Sequence, residues 1–107
     1  MEIKVSSKHM GLTPAIEEYG RRKVEKLLKF FDRVQQIELR LDRARVGYQV
    51  EIIVDVEHHD DFVATVDHED LYACIDLAVD RAARQLKDYK ERVRDHKHQS
   101  PTGGKEQ

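Results

Sequence analysis

The sequence predicts an α+β fold in which two helices cover one face of a four-stranded sheet. Hydrophobic residues recur with the period of a strand, then of a helix, then of three strands and finally of a second helix. Each predicted helix confines its apolar residues to one stripe, whereas the strands alternate apolar and polar residues. Because both helices must bury their stripes against the same sheet face, the expected architecture is a two-layer β-α-β-β-β-α sandwich. A chain of 107 residues can form this single domain without a metal or a disulfide.

The first strand and first helix occupy the N-terminal third of the chain. Residues 2–8 alternate, with apolar side chains on one side, and predict a strand. Thr13 followed by Pro14 predicts a helix start, because Thr is a good N-cap and the missing N–H of Pro costs nothing in the first turn. Gly20 within the apolar face indicates close approach to the sheet or to the other helix. The helix is expected to run to about Phe31.

Three further strands follow. Residues 37–41 and 48–56 alternate in the same way and are predicted to form a hairpin with a turn near residues 45–47. After a break at residues 58–61, residues 62–66 predict the last strand, whose inward face the pattern does not fix. The connection from the first strand through the helix to the second is expected to be a right-handed parallel crossover, and the other pairings antiparallel.

The second helix is predicted over residues 70–97. Its apolar residues fall within a stripe about 100° wide, as in a helix docked on a core. They are Leu71, Ile75, Ala78, Val79, Ala82, Leu86, Tyr89 and Val93. Residues 1–97 are therefore expected to form the domain, and residues 98–107, which show no periodicity, a disordered tail.

Both predicted helices carry basic stripes, which lie on the side away from the apolar face on the first helix and along the edges of the apolar stripe on the second. On the first helix the stripe consists of Arg22, Lys26, Lys29 and Arg33. On the second helix one edge of the apolar stripe is flanked by Lys87, Lys90, Arg94 and Lys97, and the other edge by Arg81 and Arg92. Basic residues near a helix C-terminus also favour the helix dipole by a few tenths of a kcal/mol, so a solvated face remains an alternative to a nucleic-acid surface.

Charge is distributed unevenly although the formal net charge is only −2. Residues 1–33 hold eight basic and five acidic residues, residues 34–70 hold three and ten, and residues 71–107 hold eight and six. The helical regions are therefore basic and the middle of the chain acidic. Such a bipolar protein can turn a cationic face toward phosphates while its other face repels polyanions.

Several classes of function lack a sequence signature here. No apolar stretch approaches the 18 residues of a membrane span, and no signal peptide is visible, so a cytoplasmic protein is expected. Cys74 is the lone cysteine and lies beside the apolar stripe of the second helix, which predicts a packed thiol. No phosphate-binding glycine loop, nucleophile elbow or paired-cysteine motif occurs. We therefore expect no enzyme activity, no cofactor and no small-molecule substrate.

One cluster of side chains could ligate a metal. It comprises His58, His59, Asp60, Asp61, His68 and Glu69. Imidazole and carboxylate groups both bind divalent ions, but the spacing matches no metal-binding motif and both ends lie in predicted turns. We expect polar loop tips rather than a metal site.

The second helix resembles a known family. The run DLYACIDLAVDR at residues 70–81, continuing through Arg84-Gln85-Leu86 and Tyr89-Lys90, closely resembles the signature of the ribosome hibernation promoting factor and ribosome-associated inhibitor family, also called sigma-54 modulation proteins. Residues 12–16 resemble the first-helix entry of that family, and Lys23, Lys26-Leu27 and residues 31–33 match it in position. The resemblance covers about residues 1–97.

The resemblance implies a fold similar to a double-stranded-RNA-binding domain and a ribosome-binding role for residues 1–97. It implies that the protein occupies the small ribosomal subunit where mRNA and the A- and P-site tRNAs bind, and so silences idle ribosomes. Contacts with 16S rRNA carry over by position onto Lys23, Lys26, Arg81, Arg84, Lys90 and Arg92. The charge pattern adds Lys87 and Arg94, with Arg22, Lys29 and Arg33 as a secondary basic stripe. The free protein is expected to be a monomer.

Asp88 departs from the family pattern, because many relatives have Lys or Arg at this position. The acidic side chain at this position predicts a cationic surface weaker than that of those relatives. A different hypothesis is a protein-interaction module that modulates a transcription factor through the acidic residues 55–70, although the basic stripes would then have no role.

Overall fold

The computed structural model describes residues 2–29 and 32–99, with side chains described as far as Arg94. The elements in chain order are β1 Glu2–Lys8, α1 Pro14–Glu25, a 3-10 segment Lys26–Lys29, β2 Val34–Arg43, β3 Tyr48–Val56, β4 Phe62–His68 and α2 Leu71–Gln99. The strands form one sheet in the order β1-β2-β3-β4, with β1 and β2 parallel and the other pairs antiparallel. The predicted α+β sandwich is thus confirmed.

The core lies between the helices and one face of the sheet. The strand register places Val5, Leu39, Ile52 and Ala64 in one row across all four strands. Because side chains alternate along a strand, this row and its neighbours face the same side. α1 packs on β1 and β2, and α2 packs on β3 and β4. The largest fully buried side chains are Leu27, Ile37, Leu39, Leu41, Ile52, Ile75 and Leu86.

Gly20 brings α1 close to the sheet, which is one of the two alternatives that the sequence left open. A Cβ atom at this position would lie 2.5 Å from Cδ2 of Leu39, which is fully buried on β2. A side chain at residue 20 would therefore force Leu39 or α1 to shift. The helix itself begins as expected, with Thr13 Oγ1 accepting the backbone N–H of Ile16 at 3.2 Å.

The predicted course of the first helix was wrong at its C-terminal end. The α-helix ends at Glu25, and the chain continues as the 3-10 segment. The backbone N–H of Lys26 bonds to the carbonyl of Lys23, which is the tighter hydrogen-bond pattern common at helix ends. The tighter turn buries Leu27 completely. Phe31, predicted as the end of the helix, lies outside the described residues.

The other boundaries differ by a few residues. β2 begins at Val34 and β4 extends to His68, which pairs with Tyr48 across the β3–β4 hairpin. Ala64 and Val66 are the inward residues of β4, which settles the face that the pattern left open. The predicted β2–β3 turn is present, where the Ala44 N–H bonds to the Gly47 carbonyl at 3.0 Å.

The second helix matches its predicted stripe. Leu71 through Leu86 of that stripe are buried, and Tyr89 and Val93 are half-buried. Cys74 is fully buried, with its Sγ 3.1 Å from the Val66 carbonyl oxygen, and burial raises the pKa of its thiol. α2 continues two residues beyond the predicted end, and residues 100–107 of the predicted tail lie outside the described residues.

Candidate nucleic-acid interface

A groove lined by basic side chains lies between the C-terminal half of α2 and the 3-10 segment. Lys29 and Arg33 line one side, and Lys87, Lys90 and Arg94 of α2 line the other. The larger of its two adjoining concavities has a volume of about 330 Å³. We call the surface formed by these five residues the interhelical basic groove.

The groove carries an excess of positive charge. Among the described residues that line it, five side chains are basic and two, Asp32 and Glu91, are acidic. Among ion pairs between described residues, none engages any of the five. Cations gathered without counter-ions create a positive potential that attracts polyanions. The groove therefore suits a nucleic-acid backbone, whose phosphates would be neutralised by these ammonium and guanidinium groups.

The local structure explains why these residues meet. Lys87, Lys90 and Arg94 are spaced i, i+3 and i+7, so they lie on the same side of α2. The sequence predicted this side of the groove. It assigned Lys29 and Arg33 to a separate, secondary stripe, whereas the structure places them opposite Lys90 and Arg94 in the same groove.

Lys23 belongs to a different cluster. Its Nζ lies 3.4 Å from Asp76 Oδ1 on α2, and its side chain is 25% exposed. The same carboxylate oxygen accepts the Tyr19 hydroxyl at 2.7 Å, and this hydrogen bond raises the pKa of Tyr19. We call Tyr19, Lys23 and Asp76 the helix clasp, because they join α1 to α2. The charge of Lys23 is therefore already paired within the protein.

Arg81 is held against the sheet. Its guanidinium donates to the Thr65 carbonyl at 2.6 Å, and four residues later the Gln85 amide donates to the Val63 carbonyl at 3.1 Å. β4 is an outer strand of the sheet, so these side chains satisfy carbonyls that an edge strand would otherwise offer to another chain.

A side chain also covers the opposite edge of the sheet, which is β1. Arg21 of α1 donates to the Ile3 carbonyl of β1 at 2.9 Å and to Glu17 at 3.1 Å. The sequence did not predict that Arg21 and Gln85 bond to carbonyls of the edge strands. Arg81 and Gln85 are spaced i, i+4 beside the apolar stripe, and this spacing is a signal that could have identified Gln85.

The remaining predicted contacts are exposed and dispersed. They are Arg22, Lys26, Arg84 and Arg92. Arg92 follows Lys90 by two residues and so points about 200° around the helix from it. The guanidinium carbon of Arg22 lies 5.5 Å from the centroid of the Tyr19 ring. The predicted basic residues therefore fall into four groups. Five line the interhelical basic groove, Lys23 belongs to the helix clasp, Arg81 covers the edge strand β4, and the others are separate exposed cations.

The sheet face opposite the helices is predominantly acidic. The alternate residues of that face include Glu38, Asp42, Glu51, Asp55 and Asp67. Arg40 lies among them and is paired with Glu38 at 3.0 Å and Glu51 at 3.3 Å, and Lys4 and Lys8 of β1 lie on the same face. The protein is thus bipolar, with the groove on the helical side and acidic groups on the other.

Two His residues between β3 and α2, His59 and His68, have partners close by in the sequence. The His59 ring stacks on Phe62 with centroids 4.5 Å apart, and His68 Nδ1 accepts the backbone N–H of Asp70 at 2.9 Å. Among the side chains of residues 2–29 and 32–94, no three His, Cys, Asp or Glu groups lie so that they could hold a metal ion.

Comparison with known proteins decides the family. A model of the family described as sigma 54 modulation protein / S30EA ribosomal protein matches residues 3–94. That range covers nearly all of the sheet, α1 and the groove. The chain belongs to this family.

Relatives of this family cover most of the chain. The ribosome hibernation promoting factor of Azotobacter vinelandii is 30% identical over 92 residues, which make up 86% of this chain and 85% of that protein. The ribosome hibernation promoting factor of Escherichia coli (strain K12) is 28% identical over 96 residues, covering 90% of this chain and 100% of that protein.

Solved structures agree with the fold. The Thermus thermophilus Protein Y N-terminal domain aligns with a TM-score of 0.75 and 31% identity, over 83% of this chain and 99% of that one. A ribosomal subunit interface protein from Coxiella burnetii aligns with a TM-score of 0.78 and 21% identity, over 85% and 99% of the two chains.

In the described part of the chain, no helix is long and apolar enough to cross a membrane.

Proposed function

We propose that this protein is a ribosome hibernation factor that binds 16S rRNA of the small ribosomal subunit through the interhelical basic groove. The observation that supports this best is the convergence of five basic side chains from two elements on one concave surface. Relatives named ribosome hibernation promoting factor support the role. The resemblance in the second helix supplies the expected location, where mRNA and the A- and P-site tRNAs bind.

The groove is preorganised for phosphate binding. Leu27 in the 3-10 segment and Leu86 on α2 are both fully buried, so the two sides of the groove are anchored to the core. A site whose sides are fixed before binding loses less conformational entropy when its ligand arrives. The acidic sheet face turns away from rRNA, because it repels phosphates, and so orients the protein on the subunit.

The mechanism is steric occupation without chemistry. A domain seated on the rRNA excludes mRNA and tRNA by volume alone, and the basic side chains supply affinity through the release of counter-ions. The protein binds as a monomer in the cytoplasm, where it meets idle ribosomes. The relatives are named for ribosome hibernation, which leaves the alternative of a transcription-factor contact at residues 55–70 without support.

Inhibition of translation in a purified system tests the proposal. Inhibition should saturate near one protein per small subunit, and complexes preassembled with mRNA and initiator tRNA should resist it by competition. The rRNA should stay intact. Shutdown by substoichiometric protein, or cleaved or modified rRNA after incubation, would indicate catalysis and refute steric occupation.

A matched pair of variants connects inhibition to the groove. Lys90→Glu with Arg94→Glu should abolish inhibition at equimolar protein, because it reverses two groove charges. Arg43→Glu with Arg45→Glu changes the same total charge at the β2–β3 hairpin and should inhibit like the unmodified protein. Equal loss in both variants would mean that net charge alone governs binding.

A further inference from the structure

Tyr72 presents an aromatic ring to solvent at the start of α2. The residue is 41% exposed. Among the described residues, four large hydrophobic side chains are exposed, and Tyr72 is the aromatic one. Its ring lies edge-to-face with the Tyr19 ring, with centroids 4.8 Å apart and an angle of 89° between the planes. Among hydrogen bonds between described residues, none engages the Tyr72 hydroxyl.

The Tyr19 ring that Tyr72 contacts is held in place and lies near two cations. Tyr19 is fixed by its 2.7 Å hydrogen bond to Asp76, so the ring on which Tyr72 rests cannot turn freely. The Lys23 ammonium lies 5.4 Å and the Arg22 guanidinium carbon 5.5 Å from the Tyr19 ring centroid. Lys23 is paired with Asp76, but Arg22 is exposed and has no ion pair among the described residues. The exposed Tyr72 ring and the Arg22 guanidinium therefore both lie next to the Tyr19 ring.

Tyr72 also lies on the side of α2 that faces the groove. It precedes Lys90 by 18 residues, which is five full helical turns, so both residues project at the same angle about 27 Å apart. A nucleic acid that follows this side of α2 can contact both Tyr72 at the start of the helix and Lys90 in the groove. The interhelical basic groove binds backbone at one end, and the aromatic surface lies at the other.

We propose that Tyr72 and Arg22 form a stacking site for an unpaired nucleobase of the RNA bound in the groove. Tyrosine rings and guanidinium planes both stack on bases that are splayed out of single-stranded RNA. The positive charge of the guanidinium also suits RNA better than an apolar protein surface. This inference rests on the proposed function and adds a base contact to its phosphate contacts.

Binding to purified small ribosomal subunits tests the stacking site. Loss of one stacked base costs about 5- to 160-fold in affinity, so Tyr72→Ala should raise Kd by a factor in that range. Tyr72→Phe keeps the ring and should stay within about threefold of the unmodified protein. The salt dependence of Kd should not change in either variant, because neither removes a phosphate contact.

Leu77→Ala is the matched control. Leu77 is 45% exposed on the same helix but has no aromatic or cationic partner among the described contacts, so its truncation should leave Kd unchanged. Tyr72→Ala binding as tightly as Leu77→Ala would overturn the stacking site while leaving the proposed function intact. No binding by the unmodified protein would overturn the proposed function and this inference with it.

Photo-crosslinking separates RNA from protein as the partner. A photoreactive benzoyl-phenylalanine replacing Tyr72 should crosslink to 16S rRNA in the bound complex. Crosslinks to ribosomal proteins alone would overturn the proposal, because they would make Tyr72 a protein contact.

Discussion

Replacing Lys23 with Met distinguishes a structural cation from an RNA contact. Lys23 is paired with Asp76 at 3.4 Å and is 25% exposed, so the interaction lies at the upper end of the range for surface ion pairs, about 1 kcal/mol. Met keeps the packing of the aliphatic stem. We expect Lys23→Met to lower the free energy of unfolding by about 1 kcal/mol and Tm by about 4 °C or more.

The same variant should leave RNA binding almost unaltered. Since the helix clasp already neutralises Lys23, the slope of log Kd against log salt for small-subunit binding should be unchanged. Lys90→Met removes a groove cation that has no ion pair among the described residues, and it should reduce that slope by about 1. A double-mutant cycle of Lys23→Met with Asp76→Asn should show coupling of about 0.5–1 kcal/mol. A reduced slope in Lys23→Met without loss of stability would refute the clasp and make Lys23 an RNA contact.

Three further predictions concern the edge, the helix packing and the thiol. Arg81→Ala with Gln85→Ala uncovers the β4 carbonyls and should increase self-association in analytical ultracentrifugation; a monomer at all concentrations would contradict the edge-cover role. Gly20→Ala should lower the unfolding free energy in urea by about 1–3 kcal/mol, because the added Cβ meets buried Leu39; an unchanged value would contradict this close packing. Burial raises the pKa of the Cys74 thiol from its ordinary 9.0. The stabilisation from the neutral thiol is therefore present below pH 9 and is lost as the pH rises through the raised pKa. Cys74→Ala should flatten this alkaline loss of stability, and an equally steep loss in the variant would contradict the role of the thiol.

Most of the fold could be predicted because it rests on periodicity. Alternation in residues 2–8 and 48–56 and the stripe of α2 follow directly from the side-chain geometry of strands and helices. The end of α1 could not be predicted, since the apolar pattern continues through Lys26–Lys29 whether the backbone is α-helical or 3-10. The inward face of β4 depends on its pairing with β3, which is a long-range property.

The site could be predicted only in part, for the same physical reason. Spacing along one helix identified Lys87, Lys90 and Arg94. The pairing of Lys23 with Asp76 joins residues 53 positions apart, and no local pattern reveals it. The position of Lys29 opposite Lys90 likewise depends on how the 3-10 segment packs beside α2.

The salt dependence of small-subunit binding tests the central claim most directly. If all five cations of the interhelical basic groove neutralise phosphates, the slope of log Kd against log salt should be about 3.5–4.5 between about 50 and 300 mM salt, at 0.7–0.9 per phosphate. Lys90→Glu with Arg94→Glu should reduce that slope by about 2, whereas Arg43→Glu with Arg45→Glu should leave it unchanged. A slope near zero, or the same slope in all three proteins, would contradict binding through this groove.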